Sequence, residues 1–182
     1  YATTGAGDPL SLAMTGALSI EAWVKPTIAA APGAIVSRGG AANGYDYWLA
    51  WDDGTIEITV WTPTGTERTS VATPAGAVPA GEVSHLVVTL DDVADVVEIF
   101  VNGRSVVRAT TAWIGTSSAQ ADDPLAIGRR DDVAAAYFDG LIDEVAVYAY
   151  PLSGAQVRAH YDAAFVPEPS SVCLMFVAGV AL

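Results

Sequence analysis

The chain has few basic residues and a single cysteine. Of its 182 residues, 8 are Lys or Arg and 21 are Asp or Glu, so the formal net charge is −13 at pH 7. Because a phosphate backbone is bound through a basic surface that displaces counterions, nucleic acid is not an expected partner. One cysteine, Cys173, can form neither an intramolecular disulfide nor a thiolate metal cluster. The acidic surface either holds cations or keeps the protein soluble.

The motifs of several catalytic classes are also absent. No glycine-rich loop is followed by Lys-Ser or Lys-Thr, which excludes a phosphate-binding loop. The two histidines, His85 and His160, lack a metal-ligand spacing, and two isolated histidines do not indicate a Ser-His-Asp triad. We therefore expect both histidines to be structural.

Short apolar segments separated by turns make up most of the chain. Hydrophobic residues account for 52% of the sequence, and it contains 17 Gly and 10 Pro. Asp53-Gly54 and Asn102-Gly103 each separate two such segments and predict two-residue hairpin turns. The pattern predicts strands at 18–24, 34–37, 45–52, 55–61, 83–90, 96–101, 104–107, 125–128 and 141–149. Ser153 and Gln156 form a capping-box pattern that predicts one short helix.

Six blocks of the sequence resemble the LamG-like (concanavalin A-like) jelly-roll family, in the order that the family shows. They are Leu18 to Pro26, Ile35 to Arg38, His85 to Asp91, Ile99 to Gly103, Leu125 to Gly128 and Asp139 to Ser153. Together with the strand pattern, the resemblance implies an all-β fold over residues 1–164: a two-sheet antiparallel jelly-roll sandwich with one short C-terminal helix. It also implies a secreted or surface protein that binds glycans or proteins, often near a calcium ion.

The tail, residues 165–182, resembles a PEP-CTERM sorting signal of Gram-negative bacteria. Pro167-Glu168-Pro169 leads into an uncharged apolar run at 172–182, which is about half of the roughly 20 residues that span a bilayer. In that family a transmembrane helix and a basic cluster follow, and an exosortase removes the signal at the cell envelope. The basic cluster is missing here, as expected of a truncated end. Since the chain begins with Tyr1 rather than Met, we expect a fragment or a processed form.

Adjacent carboxylates at Asp143-Glu144 bear on whether the chain is an enzyme. Related laminarinase-type glucanases carry Glu-x-Asp-x-x-Glu on one strand, which places acid and nucleophile on one face. No such triplet occurs here. Neighbouring residues of a strand point to opposite faces, so Asp143 and Glu144 are not expected to act as a pair. We therefore predict a chain that is not an enzyme.

The Asp53-Gly54 hairpin allows a prediction of its register. A two-residue turn pairs Asp52 with Thr55 and, further along, Trp48 with Thr59 and Asp46 with Trp61. The core face then holds Tyr47, Leu49, Trp51, Ile56, Ile58 and Val60. The opposite face carries a candidate sugar site: Trp48, Trp61, Asp46 and Glu57. Indole planes stack on pyranose rings while carboxylates accept hydroxyl hydrogen bonds. Alternatively, loops or the C-terminal helix cover this face.

Asp143 is the candidate metal ligand. On the predicted strand it shares a side with Val145 and Val147, which are expected to be buried, so its carboxylate needs a partner. One solution is a structural calcium ion held with backbone carbonyls. The alternative is a hydrogen bond from a backbone N–H or from an arginine such as Arg129 or Arg130.

The sequence as a whole predicts a non-catalytic binding module that a Gram-negative bacterium exports, either to the cell envelope or surface or to the extracellular space. Its expected partner is a glycan or another extracellular polymer. The alternative is a structural or adhesion domain that has protein partners and no carbohydrate site.

Overall fold

The computed structural model describes residues 2–3, 16–27, 32–40, 44–61, 68–111, 124–130 and 136–165. Within these ranges the strands are β1 (Ala2–Thr3), β2 (Ala17–Pro26), β3 (Gly33–Gly40), β4 (Gly44–Asp52), β5 (Thr55–Trp61), β6 (Arg68–Ala72), β7 (Ser84–Asp91), β8 (Val96–Val101), β9 (Arg104–Thr110), β10 (Leu125–Ile127) and β11 (Gly140–Tyr148). The helix is α1 (Gly154–Ala163). The sequence pattern identified all of these elements except β1 and β6. The predicted sorting signal, residues 165–182, lies outside the described residues except for Phe165.

The strands form two antiparallel sheets. One sheet has the order β1-β10-β3-β4-β5-β6 and the other has the order β11-β2-β7-β8-β9. Their inner faces meet in one hydrophobic cluster that draws on both sheets, as in Leu18 and Leu86 of the second sheet and Leu49 and Ile58 of the first. The predicted two-sheet sandwich is therefore confirmed.

The hairpin between β4 and β5 has the predicted register. Asp52 is paired with Thr55, and Trp48 is paired with Thr59. The turn residues Asp53 and Gly54 have φ values of 42° and 83°, the left-handed pair that a type I′ turn requires. The predicted core face is confirmed, because all of its members are buried in the central cluster: Tyr47, Leu49, Trp51, Ile56, Ile58 and Val60.

Helix α1 packs on the outer face of the five-stranded sheet. Ser153 caps it, since its hydroxyl accepts a hydrogen bond from Gln156 N while the Gln156 side chain accepts one from Ser153 N. Val157 packs in a second cluster with Val87 and Phe100 of the sheet. In the described part of the chain, no helix is long and apolar enough to cross a membrane. The C-terminal part of the helix lies beside Trp23 of β2, against which Tyr161 stacks.

Candidate functional site

A β-bulge near the start of β11 changes the direction of two carboxylates. The pairing of β11 with β2 shifts register between Asp143 and Ala146, and Glu144 has a φ of 49°, which is uncommon for a residue with a side chain. The Glu144 N–H donates to Asp143 Oδ1 over 2.9 Å. As a result both carboxylates are exposed and line the same pocket. The expectation that they lie on opposite faces is wrong because the bulge interrupts the alternation.

The pocket lies over β2 and β11 on the outer face of the five-stranded sheet. It has a volume of about 350 Å³. Three of its apolar side chains are unusually exposed, with Val83 at 59%, Leu141 at 69% and Phe165 at 64%. Its charged members are Lys25, Asp143 and Glu144. An exposed apolar patch rimmed by polar groups is typical of a binding surface.

Trp23 forms the aromatic wall of this pocket, and other rings hold it in place. Its indole lies 4.9 Å from the His85 ring and 5.9 Å from the Tyr161 ring, the latter stacked at 16°. Phe165 meets Trp23 edge to face at 6.2 Å. The helix supplies Tyr161 and the segment after it supplies Phe165. Docking of the helix therefore holds the Trp23 indole in place.

Behind Trp23, the carboxylate of Glu21 accepts hydrogen bonds from three side chains on three other elements. His85 Nε2 is 2.7 Å from Oε1, and the Tyr148 hydroxyl is 2.8 Å from Oε2. His160 Nδ1, on the helix, is 3.0 Å from Oε2. An ionised carboxylate only accepts, so each histidine directs an N–H toward it. Both histidines make structural contacts, as expected. His85 joins β7 to β2, and His160 joins the helix to β2.

These hydrogen bonds shift the pKa values of Glu21 and Tyr148. Burial by itself raises the pKa of Glu21, but the hydrogen bonds from His85, Tyr148 and His160 outweigh it and lower that pKa from 4.5 to about 2. Burial, together with the hydrogen bond to the Glu21 carboxylate, raises the pKa of Tyr148 from 10.0 to about 12. Glu21 therefore carries its negative charge throughout the physiological pH range.

The hairpin face that was predicted to bind sugar is more enclosed than the pocket. Trp61 is only 8% exposed, and Trp48 is half-buried. The Arg130 guanidinium carbon lies 4.5 Å from the centre of the Trp48 ring and 6.0 Å from that of Trp61. Trp48 Nε1 is shielded from solvent and has no hydrogen-bond partner among the described groups. The helix packs on the other sheet, so in the described part it is Arg130 that covers these rings.

The two carboxylates assigned to that face differ in their surroundings. Asp46 is completely buried, and its Oδ2 accepts a hydrogen bond from Arg38 Nη1 over 2.9 Å. Its assignment to an open ligand-binding face is therefore corrected, because no ligand reaches a carboxylate enclosed with its own counterion. Glu57 is half-buried and accepts from the Thr59 hydroxyl over 3.2 Å. A role for Trp48, Trp61 and Glu57 in binding stays a prediction.

Asp143 does not have the surroundings on which the calcium prediction was based. Its side chain is exposed rather than turned to the core, because the bulge lies next to it. Its Oδ1 accepts from a backbone N–H, as the alternative interpretation held. Among the described residues, no group of three or more His, Cys, Asp or Glu side chains could hold a metal ion. The donors near Asp143 therefore do not fit a calcium site made by side chains, and the ion stays a prediction for chelation to test.

Sequence reasoning did not single out Trp23, Lys25 and Phe165 as site residues. The alternation of β2 did place Trp23 on the side opposite Leu18 and Ile20, which was a usable signal. No comparable signal existed for the bulge, since Asp143-Glu144 contains no glycine. The convergence of β2, β11 and the end of the helix depends on contacts between residues far apart in sequence.

Comparison with known proteins agrees with this architecture. The Laminin_G_3 family model, described as the concanavalin A-like lectin/glucanases superfamily, matches residues 1–158. None of the curated protein sequences matches the chain. Among solved structures, the Ruminococcus gnavus IT-sialidase CBM40 bound to α2,3-sialyllactose is similar with a TM-score of 0.70 at 19% identity, covering 88% of this chain and 98% of that one.

A second group of similar structures comes from botulinum neurotoxins. The serotype D binding domain has a TM-score of 0.64 at 11% identity and matches 84% of this chain but 38% of its own. The type G receptor binding domain has a TM-score of 0.61 at 14% identity, over 83% of this chain and 39% of its own. At these identities the likeness establishes the fold alone. The match of the family model over residues 1–158 shows that the chain belongs to the concanavalin A-like lectin/glucanases superfamily.

Proposed function

We propose that this chain is an exported, non-catalytic module that binds a glycan or another extracellular polymer in the pocket at Trp23. The observation that carries the proposal is the convergence of exposed apolar side chains with carboxylates and a lysine in one cavity of about 350 Å³. Membership of a lectin-like superfamily supports it. So does the similarity to a carbohydrate-binding module whose structure holds sialyllactose.

The pocket has the groups that sugar recognition uses. Aromatic side chains such as Trp23 and Phe165 offer apolar surface to the C–H faces of a sugar ring. Asp143 and Glu144 accept hydrogen bonds from hydroxyl groups, while Lys25 donates them. The packing of Trp23 against Tyr161 and His85 fixes the indole before a ligand arrives, which lowers the entropic cost of binding.

A binding role accounts for the two carboxylates better than catalysis does. In a glycosidase, the carboxyl group that protonates the leaving group lies in an apolar, buried setting. Asp143 and Glu144 are both exposed, and Asp143 is engaged by the N–H of Glu144. Turnover of a laminarin-type substrate by the purified protein would contradict this part of the proposal.

Export and processing are proposed from the sequence of the tail. The support is Pro167-Glu168-Pro169 before the apolar run at 172–182, which resembles the signal that an exosortase removes. Expression of the full reading frame in a Gram-negative host that has an exosortase provides the test. Mass spectrometry of the envelope fraction is expected to find a product cut near this motif. An uncut chain in the cytoplasm would count against export.

Binding to a panel of polysaccharides, measured by affinity electrophoresis, tests the function. The Trp23→Ala variant is expected to lose binding, while a Trp48→Ala variant tests the hairpin face in the same assay. If Trp48→Ala abolishes binding and Trp23→Ala does not, the site is the hairpin face instead. If no polysaccharide binds and an envelope protein is captured, the chain is a structural or adhesion domain, for which the exposed Val83, Leu141 and Phe165 offer an apolar surface.

A further inference from the structure

A second cavity lies on the other side of strand β11 from the Trp23 pocket. It has a volume of about 430 Å³, and its walls include Tyr137, Phe138 and Ile127. Both cavities are lined by the exposed residue Leu141, so they adjoin there. Strand β11 is the edge strand of the five-stranded sheet among the described strands. The two cavities therefore lie on either side of one sheet edge.

The backbone around the second cavity is fixed by hydrogen bonds to the sheets. Phe138 N donates to Gly128 O over 3.0 Å, and Thr27 N donates to Asp139 O over 2.8 Å. Ala34 N donates to Ala136 O over 3.3 Å. These contacts hold the segment that carries Tyr137 against both sheets. The cavity is thus part of the folded structure rather than a gap beside a loose loop.

The absence of a side chain at Gly140 allows the start of β11 to approach the end of β2 closely. Its φ is 155°, and a Cβ there would collide with Lys25 O and approach Pro26 Cα to 2.9 Å. Because Gly140 has no Cβ, the start of β11 lies directly against the end of β2. Lys25 and Leu141, which line the first pocket, therefore lie next to the backbone that lines the second.

The charges at this edge select the class of ligand. The first pocket has two carboxylates, Asp143 and Glu144, against one lysine, and the whole chain carries a net charge of −13. A polymer with carboxylate or sulfate groups would meet repulsion both in the pocket and over the surface. An uncharged, hydroxyl-rich chain would not, and both cavities offer it aromatic surface. Tyr137 is 48% exposed in the second one.

We propose that the two cavities are neighbouring subsites for an uncharged polysaccharide, which crosses the β11 edge at Leu141 and is bound along its chain rather than at its end. This inference rests on the proposed glycan-binding function and goes beyond it by naming the ligand class and a second subsite. A polysaccharide long enough to occupy both subsites binds the second one intramolecularly once the first is occupied. Its affinity should therefore exceed that of an oligosaccharide that fills only one subsite.

Isothermal titration with a disaccharide and a hexasaccharide of an uncharged β-glucan and of an uncharged mannan tests the inference. The hexasaccharide of the polymer that binds is expected to bind at least about tenfold more tightly than the disaccharide, a difference of about 1.4 kcal/mol. Tyr137→Ala is expected to remove most of that gain in affinity. Tyr150→Ala is the matched control, since Tyr150 is 49% exposed and lines neither cavity.

A second variant, Leu141→Ala, keeps the test valid if Tyr137→Ala does not fold, because Leu141 is the exposed wall that both cavities share. Polygalacturonate, a carboxylated polymer, is the charge control and is expected not to bind. Equal affinity for the two chain lengths, or tighter binding of polygalacturonate, would overturn the inference and leave the proposed function standing. If none of these carbohydrates binds, the proposed function fails and the second subsite fails with it.

Discussion

Replacing Glu21 by glutamine should lower the stability of the fold by about 2–3 kcal/mol. Glutamine has nearly the same volume, but it removes the charge that accepts hydrogen bonds from His85, Tyr148 and His160. Since one unit of pKa corresponds to about 1.4 kcal/mol, the lowering of the Glu21 pKa from 4.5 to about 2 sets an upper limit of about 3 kcal/mol. For a chain of this length the melting temperature should fall by about 5–10 °C.

The pH dependence of this effect gives a sharper test than its size. Because the pKa of Glu21 is lower in the folded chain than in the unfolded one, the unfolded chain takes up the proton first as pH falls. The stabilisation is therefore complete above about pH 4.5 and is lost as pH falls toward about 2. Urea unfolding of both proteins at pH 7, 4.5 and 3 should show the difference between them shrinking below pH 4.5.

Glu98→Gln is a suitable control on the same sheet. Glu98 accepts a hydrogen bond from Arg108, whose side chain is 59% exposed, over 3.2 Å. An exposed ion pair of this kind contributes about 0.5 kcal/mol. If Glu21→Gln costs no more than this control, or if its cost is the same at pH 7 and pH 3, the hydrogen bonds around Glu21 do not stabilise the docked helix.

Three further measurements test other parts of the structure. Ser153→Ala removes the helix cap and should cost about 1 kcal/mol in urea unfolding, whereas a cost near zero would mean that the cap is not formed in solution. Gly140→Ala should cost clearly more than Gly76→Ala, because both have a positive φ but only Gly140 has backbone atoms where the Cβ would lie. A chelator should lower the melting temperature if a calcium ion is bound at Asp143, since a ligand of the folded state stabilises it. An unchanged melting temperature would remove the calcium prediction.

Much of the fold could be predicted because its determinants are local. Asp53-Gly54 and Asn102-Gly103 adopt left-handed conformations that favour short hairpins, so both turns follow from a few residues, as does the register of β4 with β5. The alternation along β4 and β5 then assigned the core face correctly. Ser153 and Gln156 define the start of the helix in the same local way.

Strands β1 and β6 were not predicted, for the opposite reason. β1 covers two residues and β6 covers five. Neither segment has an apolar run like the one that predicted the three-residue strand β10, and both become strands by pairing with β10 and β5. β1 depends on a partner strand that is distant in sequence, and β6 depends on a hairpin strand, β5, that must form first.

The candidate site depended on the tertiary structure. The sequence determined that the chain would form an antiparallel sandwich with a capped helix, because alternation and turn chemistry act over a few residues. The same alternation predicted that Asp143 and Glu144 point to opposite faces of their strand. It also predicted that Asp46 lies on the solvent-accessible face of the β4–β5 hairpin. The bulge in β11 and the burial of Asp46 against Arg38 reversed both assignments. Both features arise where two strands pair. The direction and burial of these side chains therefore depend on contacts between strands, which the alternation within one strand does not contain.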